Sequence, residues 1–408
     1  MLVSHLFRIL IKEGRLDVID AKGRRHSFGP GGGPAVTVRF HDRALHRKLL
    51  TNPKLYLGEA YMDGSLTIEE GTLYELLDLV TRNLASVERH PLQAVQEFFG
   101  RALRFIHTHN PVERAQRNVA HHYDLSGALY DLFLDVDRQY SCAYFATDND
   151  TLELAQLNKK RHIASKLLLE PGQRVLDIGC GWGGLALFLA QAAKVDVTGI
   201  TLSQEQHKVS ENRAREAGLA DRVRFHLLDY RLQQGRFDRI VSVGMFEHVG
   251  AKHYREFFRK AKDLLADDGV MLLHSIGRME PPGATNPWLR KYIFPGGYTP
   301  ALSEVMAAVE DIGLWVTDVE ILRLHYAKTL REWHRRFQAN RDRIRQLYDE
   351  RFCRMWEFYL LGCEVAFRNL NQMVFQVQLS KRPDAVPLTR DYMTEDERRL
   401  SHRSTAAA

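Results

Sequence analysis

The feature that most constrains the fold is a glycine-rich turn between a strand-like run and a helix-like run. The turn spans residues 177–184 and reads DIGCGWGG, and the strand-like run before it, residues 174–178, reads RVLDI. Glycine permits a tight reversal, close approach of the backbone to a ligand, and close packing of helix on strand. The pattern therefore predicts a strand–turn–helix unit whose turn borders a ligand site.

The chain after this turn continues to alternate between strand-like and helix-like runs. We expect further strands at 195–200, 223–227, 239–243 and 270–275, and helices at 185–193 and 204–217. Strands separated by helices are typical of an α/β fold with a doubly wound, mostly parallel sheet.

The spacing of the glycines distinguishes between possible ligands. A dinucleotide site has G-x-G-x-x-G and an acidic residue about 20 positions later. Here the spacing is G-x-G-x-G-G, Asp177 lies two residues before the first glycine, and the second strand ends GITLS without a carboxylate. This favours S-adenosylmethionine, which has no pyrophosphate; the alternative is a packing turn without a ligand.

Polar residues follow the strands where a ligand of such a sheet would lie. In open α/β sheets, ligands bind beyond the carboxyl ends of the strands. The residues at those ends are Gly179 and Gly181, Thr201 and Ser203, Asp229 and Tyr230, Glu247 and His248, and His274. We expect a turn for the cofactor, a carboxylate and an imidazole to meet at one edge.

The length predicts two domains, since 408 residues exceed what one core usually needs. The alternation of 35–40 predicts a strand, and 73–84 and 92–107 have helical spacing. We expect a smaller α+β N-terminal domain at 1–95, a linker at 96–120, a catalytic domain at 121–392 and a disordered tail at 393–408. With 45% hydrophobic and 26% charged residues, a largely disordered chain is excluded.

The positive charge is concentrated at the N-terminus. Residues 1–50 hold ten Lys and Arg against four Asp and Glu, an excess equal to the net charge of +6. This predicts an anionic partner surface. Apolar Leu2, Phe7, Leu10 and Leu16 alternate with Arg8, Lys12 and Arg15, which suits an amphipathic helix at a membrane interface; the alternative is a solvated basic face. No nucleic-acid-binding motif stands out, so no nucleic-acid partner is expected.

Other sequence features indicate a cytoplasmic protein without a metal or disulfide framework. Arg8 and Lys12 interrupt the apolar start, unlike a secretory signal, and no run reaches the roughly 18 apolar residues of a spanning helix. Cys142, Cys180, Cys353 and Cys363 are too few for a disulfide framework, and no His/Cys spacing fits zinc.

Nine runs in order across residues 120–380 resemble the cyclopropane fatty acid synthase family, which uses S-adenosylmethionine and includes the mycolic acid cyclopropane synthases. They are HHYDLSGALYDLFLD, YSCAYF, VLDIGCGWGG, GITLSQEQ, FEHVG, LLHSIG, FPGG, HYAKTLREW and LGCEVAF. The additional N-terminal domain resembles the longer, phospholipid-acting members. The resemblance implies a class I S-adenosylmethionine methyltransferase fold, a lipid-binding N-terminal domain and a homodimer.

The resemblance also implies a reaction. Methylene would pass from S-adenosylmethionine to a cis double bond of an unsaturated phospholipid acyl chain at the inner face of the cell membrane. Ring closure requires loss of a proton, and the implied base is a bound bicarbonate ion. Its implied ligands are Cys142, Glu247, His274, the backbone of Ile276, and Tyr326, and Cys363 is a weaker catalytic candidate.

The implied S-adenosylmethionine contacts share the ends of the motif strands and the YSCAYF run. They are Tyr140, Ser141, Asp177, Gly179, Cys180, Gly181, Gly183, Thr201, Ser203, Gln206, Tyr230 and Arg231. Aromatic residues that would line an acyl channel are Phe246, Tyr292, Phe294, Tyr298 and Trp333. Each has a structural alternative: Cys142 as a small buried hydrophobe, His274 as a satisfied core histidine, and the aromatics as core.

Three other functions are also compatible with these residues. A methyltransferase of the same fold would give a methyl- or methylene-branched chain, because only the fate of the cation differs. A lipid-binding protein with an inactive catalytic domain is a second alternative. A small-molecule or nucleic-acid methyltransferase is a third, and it would act without lipid vesicles.

Overall fold

The computed structural model describes residues 3–86 and 127–405, and its contacts divide them into two compact units. The first unit takes the described parts of Met1–Arg104, Gly283–Pro295 and Ala327–Gln372. The second takes those of Phe105–Pro282, Gly296–Tyr326 and Met373–Ala408. This division differs from the predicted one, since two segments of the expected catalytic domain belong to the first unit. The predicted linker at 96–120 and helix at 92–107 lie outside the described residues.

The first unit is built on a small sheet of its own. Its strands are β1 (Arg15–Ile19), β2 (Arg25–Phe28), β3 (Ala35–Phe40) and β4 (Leu66–Glu70). Their order is β2-β1-β3-β4, with β1 and β3 parallel and the other pairs antiparallel. Its first helices are α1 (Ser4–Leu10), α2 (Leu45–Thr51), α3 (Pro53–Met62) and α4 (Leu73–Ser86). The predicted strand at 35–40 and helix at 73–84 are confirmed.

The core of the first unit joins segments that are far apart in sequence. Leu16, Val38 and Leu77 pack in one cluster with Leu361 and Val365. The last two lie on α14, the longest of the later helices: α10 (Pro287–Tyr292), α12 (His325–Ala339), α13 (Arg341–Leu347) and α14 (Glu350–Asn369). The later helices therefore complete this core.

Among the described residues, apolar side chains near the N-terminus pack inside this unit. Phe7 packs against Phe28 with ring centroids 5.3 Å apart, and Leu16 is buried on β1. The helix of this segment, α1, ends at Leu10, and Phe7 and Leu10 on it are partly buried against the core of the unit. Its binding to a membrane interface stays a prediction. Several of the basic residues form ion pairs within it, namely Arg15, Arg24, Arg25, Arg39 and Lys48.

The second unit is a seven-stranded, mostly parallel sheet, which confirms the predicted doubly wound α/β fold. Its strands are β5 (Arg174–Ile178), β6 (Asp196–Thr201), β7 (Val223–Leu227), β8 (Phe237–Val243), β9 (Leu265–Arg278), β10 (Trp315–Ile321) and β11 (Gln372–Ser380). Their order is β10-β11-β9-β8-β5-β6-β7. The pairs formed by β5 to β9 are parallel, and β10 and β11 are antiparallel.

Both faces of this sheet are buried, as parallel sheets require. Successive residues of β9 show it, because Met271 and Leu273 join one hydrophobic cluster while Leu272 joins the other. The helices that begin in this unit are α5 (Gly127–Asp131), α6 (Leu152–Lys166), α7 (Gly184–Ala193), α8 (Gln204–Glu216), α9 (Tyr254–Leu264), α11 (Leu302–Ile312) and α15 (Asp391–Thr405).

The predicted disordered tail at 393–408 is wrong for its described residues. Residues 391–405 form α15, and Met393 and Leu400 on it are buried. Glu397 hydrogen bonds to His162 of α6, and Arg390 pairs with Asp318 at 3.0 Å. The polar composition concealed two apolar residues seven positions apart, which lie on the same face of a helix.

No helix in the described parts of the chain is both long enough and apolar enough to cross a bilayer.

Candidate functional site

The glycine turn has the conformation that its sequence predicts. Gly179, Gly181 and Gly183 have φ of +86°, +54° and +81°, values that favour glycine. The backbone N–H groups of Gly179 and Cys180 donate to the carbonyl of Ile200 at 2.9 and 3.0 Å, which ties the turn to β6. A side chain on Gly181 would meet no atom within 4 Å, so the turn faces open space there.

That space is a cavity at the carboxyl ends of β5, β6, β7 and β8. Ten of the twelve predicted S-adenosylmethionine contacts line it: Tyr140, Ser141, Asp177, Gly179, Cys180, Gly181, Thr201, Gln206, Tyr230 and Arg231. This edge of the sheet thus brings together residues up to 91 positions apart, but Glu247 and His274, which were expected at the same edge, are not among the residues that line the cavity.

The other two predicted contacts, Gly183 and Ser203, do not line the cavity. A Cβ on Gly183 would come within 2.7 Å of Phe225 and 2.8 Å of Ser210, so this glycine permits helix–sheet packing. The Ser203 hydroxyl accepts from the N–H of Gln206 at 3.2 Å and caps α8. In this structure both residues support neighbouring contacts, and their predicted contact with a ligand stays a prediction.

Polar side chains that line the cavity are held by one another. Thr201 donates its hydroxyl to Gln206 Oε1 at 3.0 Å. The Arg231 guanidinium donates to both carboxylate oxygens of Asp229, at 2.8 and 2.7 Å. Such paired groups keep their positions before a ligand arrives, which lowers the cost of binding.

Two ionisable groups that line the cavity are almost fully buried, Asp177 and Lys159. Burial raises the pKa of Asp177 to about 7, and its Oδ2 has no hydrogen-bond partner among the described residues. Burial lowers the pKa of Lys159 to about 8, and Lys159 was missed in the sequence. No motif marks this lysine, because it lies in α6, some 20 residues before the glycine turn.

His248 is a second residue whose role the sequence did not identify, although its place after β8 was noted. It lines the cavity beside Gly244 and Met245, and burial lowers its pKa to about 4. The ring is therefore neutral at physiological pH and adds no charge to the cavity.

Glu247 and Ile276, both predicted bicarbonate ligands, bind each other. The Ile276 N–H donates to Glu247 Oε1 at 2.6 Å. Glu247 Oε2 is buried without a partner among the described residues, and burial raises the pKa of Glu247 to about 7. The N–H of Ile276, which was predicted to bind the bicarbonate ion, thus binds the carboxyl group of Glu247 instead and orients it.

His274 lies two residues before Ile276 on β9. Gln376 Nε2 of β11 lies 3.2 Å from His274 Nδ1, and when the amide donates in this contact the proton of the neutral ring lies on Nε2. Burial and the nearby Lys159 lower the pKa of His274 to about 3. The ring is therefore a neutral hydrogen-bond donor rather than a cation.

The segments that carry Cys142 and Tyr326 meet through their neighbours. The N–H of Phe145 donates to His325 Nδ1 at 3.0 Å, and Tyr144 stacks on His325 with centroids 4.7 Å apart. Cys142 and Tyr326 are both buried. The YSCAYF run is thus fixed against the beginning of α12.

The remaining candidates divide between the units. Cys363 lies on α14 in the first unit, where burial raises its pKa to about 12 and keeps it a thiol. Phe246 is stacked on Tyr254 inside the core of the second unit, at 4.3 Å between ring centroids, and its place in an acyl channel stays a prediction. Tyr298 also joins that core, whereas Tyr292, Phe294 and Trp333 belong to the first unit.

Comparison with known proteins agrees with this geometry. A family model described as mycolic acid cyclopropane synthetase matches residues 110–377, and a domain of unknown function matches residues 10–91. A probable fatty acid methyltransferase of Pseudomonas putida is 37% identical over 388 residues, covering 90% of this chain and 94% of its own.

Two further similar proteins have more specific descriptions. The cyclopropane-fatty-acyl-phospholipid synthase of Escherichia coli strain K12 is 38% identical over 357 residues, covering 88% of this chain and 91% of its own. The crystal structure of mycolic acid cyclopropane synthase CmaA1 complexed with SAH and CTAB matches with a TM-score of 0.62 at 36% identity. It covers 66% of this chain and 99% of its own.

Proposed function

The chain belongs to the mycolic acid cyclopropane synthetase family, and on that premise we propose that it converts a cis double bond of a phospholipid acyl chain into a cyclopropane ring. It is an S-adenosylmethionine-dependent methyltransferase of the class I fold. The observation that carries the proposal is Glu247, a buried carboxyl group with an unpartnered oxygen at the end of β8.

The cavity fits S-adenosylmethionine, judged from its own residues. Its glycine turn leaves open space at Gly181, and Asp177, which lines the cavity, has a buried Oδ2 without a hydrogen-bond partner among the described residues. When bound, S-adenosylmethionine supplies an electrophilic sulfonium methyl group. The glycine turn and the Thr201–Gln206 pair, which both line the cavity, would orient it.

Ring formation requires the removal of one proton after a methyl group has been added to the alkene. A side-chain carboxylate beside the positive charge on the acyl chain could form an ester with it, so a small held base serves better. We propose bicarbonate in this role, as the resemblance implies. Because burial raises the pKa of Glu247 to about 7, its carboxyl group can carry a proton at neutral pH and donate it to this anion. His274 can donate from Nε2 in the tautomer that accepts from Gln376 at Nδ1.

The substrate and location remain proposals of the same kind. The Escherichia coli relative is named for fatty acyl phospholipids, which supports a phospholipid substrate. The excess of basic residues in the first 50 positions supports binding to the anionic inner face of the cell membrane. We also propose a homodimer, on the family resemblance alone.

The test uses labelled S-adenosylmethionine and vesicles of a phospholipid with cis-monounsaturated chains. We expect label in the acyl chain, with the mass of one added CH₂ and a ring in the fragmentation pattern. Vesicles of the saturated-chain lipid are the control. Label incorporated without vesicles, into small molecules or nucleic acid, would contradict the proposal.

Variants of the proposed anion site sharpen this test. We expect Glu247→Gln and His274→Ala to abolish ring formation while both still bind S-adenosylhomocysteine in calorimetry. Normal turnover by both variants would remove the anion site from the mechanism.

A second function is favoured by one observation, the Pseudomonas putida relative named as a probable fatty acid methyltransferase. A methyltransferase of this kind would leave a branch instead of a ring. A reduced methyl branch adds CH₄ to the lipid mass, whereas a ring and an exocyclic methylene both add CH₂ and are separated by fragmentation.

A further inference from the structure

Lys159 is a buried cation in the wall of the glycine-turn cavity. It lies on α6, its exposed fraction is 1%, and it lines the cavity together with Gln139 and Ser141. Its Nζ donates to Gln139 Oε1 at 2.6 Å and to Ser141 Oγ at 2.7 Å. These bonds use two of the three hydrogens of the ammonium group.

The charge of this ammonium group has no direct counter-ion. Both of its hydrogen-bond acceptors are neutral, and within residues 3–86 and 127–405 no carboxylate lies within ion-pair distance of it. Asp135 and Asp137 act on it only at longer range, and Asp137 pairs with Lys160 and Arg213. Burying an ammonium group without a paired anion is costly, so a ligand that brings an anion to this wall would gain affinity.

Asp177 lines the same cavity and is a group that can bind a cation. Asp177 is buried, its Oδ2 is without a partner among the described residues, and it feels the charge of Lys159. An ammonium and a carboxyl group that line one cavity match an amino-acid end, which presents a carboxylate and an ammonium on one carbon. The methionyl part of S-adenosylmethionine is such an end.

We propose that Lys159 binds the α-carboxylate of S-adenosylmethionine and so selects ligands that retain this carboxylate. The inference rests on the use of S-adenosylmethionine by the family, and it is independent of the acyl substrate. Because S-adenosylhomocysteine keeps the same carboxylate, Lys159 holds substrate and product alike. Its loss should therefore raise KM and weaken product inhibition more than it changes kcat.

The experiment compares two ligands that differ in the carboxylate alone. S-adenosylhomocysteine and its decarboxylated analogue, 5′-deoxy-5′-(3-aminopropylthio)adenosine, are titrated calorimetrically into the full chain. We expect the unaltered protein to prefer S-adenosylhomocysteine by about 10- to 100-fold, the range of a charge-assisted hydrogen bond. In Lys159→Met this preference should fall to within about twofold, with the affinity for the analogue little changed.

Lys160→Met is the matched control. Its ammonium group lies one residue along the same helix and binds Asp137 at 2.6 Å, and it does not line the cavity. We expect this variant to keep the ligand preference. If Lys159→Met unfolds, Lys159→Gln removes the charge while keeping a donor for Ser141, and it should lose the preference equally.

Several results would overturn the proposal. An equal loss of affinity for both ligands in the Lys159 variants would show that the lysine supports only the loop of Gln139 and Ser141. An unchanged preference would show that the carboxylate binds elsewhere. An unaltered protein that binds neither ligand would contradict both this inference and the cofactor assignment. If the unaltered protein prefers S-adenosylhomocysteine over the analogue but forms no cyclopropane ring, only the proposed function would be contradicted.

Discussion

At the scale of single residues, the site is defined by ionisable groups whose charge is disfavoured by burial. Asp177 and Glu247 both have a pKa raised to about 7, and Lys159 has one lowered to about 8. Such groups exchange protons near neutral pH and cluster at functional sites. Asp177 of β5 and Lys159 of α6 line the cavity, where a ligand with both charges would meet them, whereas Glu247 follows β8 and is not among the lining residues.

Burial of Glu247 should make the stability of the fold depend on pH. The folded carboxyl group keeps its proton up to about pH 7, whereas the unfolded one ionises near 4.5, so the folded state binds more protons between these values. Its contribution to stability is therefore present below pH 4.5 and is lost as the pH rises through 7. We expect Glu247→Gln to remove this loss.

The measurement is urea unfolding of the unaltered protein and Glu247→Gln at pH 5 and pH 8. The free energy of unfolding of the variant, relative to the unaltered protein, should rise by up to about 3 kcal/mol between the two pH values. Because Asp177 is present in both proteins, its own titration cancels in this difference. A difference that stays constant with pH would contradict the raised pKa.

At the scale of elements, two glycines of the glycine turn are needed for different reasons, although they look alike in sequence. Gly181 leaves space for a ligand, whereas Gly183 lets α7 approach β7 and α8. Both have positive φ, so the backbone conformation does not distinguish them. The atoms around each position do, because only Gly183 has side chains within 3 Å of where a Cβ would stand.

This difference predicts unequal effects of alanine at the two positions. Gly181→Ala should cost about 1 kcal/mol of stability, the cost of a left-handed backbone for a residue with a Cβ. Gly183→Ala adds the clash with Phe225 and Ser210, and overpacking of this kind costs about 1–3 kcal/mol more. Urea unfolding measures both variants, and equal losses would disprove the separate roles.

Helix α15 shows how a polar segment can be structural. Leu400 packs with Ile163, Leu189 and their neighbours, and Glu397 binds His162. The apolar residues on this helix are few, so its order depends on the groups beneath it.

Leu400→Ala should therefore lower the free energy of unfolding by about 2–4 kcal/mol, the usual cost of truncating a buried leucine. Leu388→Ala is the matched control, since Leu388 is fully exposed and should change nothing. Thermal unfolding of both variants provides the comparison. An unchanged unfolding temperature in Leu400→Ala would support the predicted disordered tail.

At the scale of the whole molecule, the chain crosses between its two units several times. The first unit draws on three stretches of sequence, and its core needs Leu361 and Val365 from α14 as well as β1 and β3. Asn369 of the same helix donates to Asp78 and Thr81 on α4, at 2.8 and 2.9 Å. Strands near the N-terminus and a helix some 300 residues later therefore stabilise each other in one core.

This sharing predicts that a substitution in α14 loosens strands near the N-terminus. Leu361→Ala should remove about 2–4 kcal/mol from the local stability and speed hydrogen exchange of the backbone amides of β1 and β3. Leu347→Ala on α13, where the side chain is half exposed, is the control and should leave exchange in these strands unchanged. Unchanged exchange in Leu361→Ala would favour the simpler division at residue 95.

Local patterns in the sequence were enough to predict the strand–turn–helix unit, the parallel sheet and most of the cavity wall. Glycine spacing and alternation of apolar residues act over a few positions, and parallel strands bring their carboxyl ends to one edge. Tyr140, Thr201 and Tyr230 could thus be placed from neighbouring residues and the family resemblance.

Only the tertiary structure decided which groups lose water and which partners they gain. Lys159, the contact of Ile276 with Glu247, the packing role of Gly183 and the order of α15 all depend on atoms distant in sequence. Desolvation and steric contact are properties of the surroundings in space. A residue's type and its sequence neighbours therefore do not reveal them.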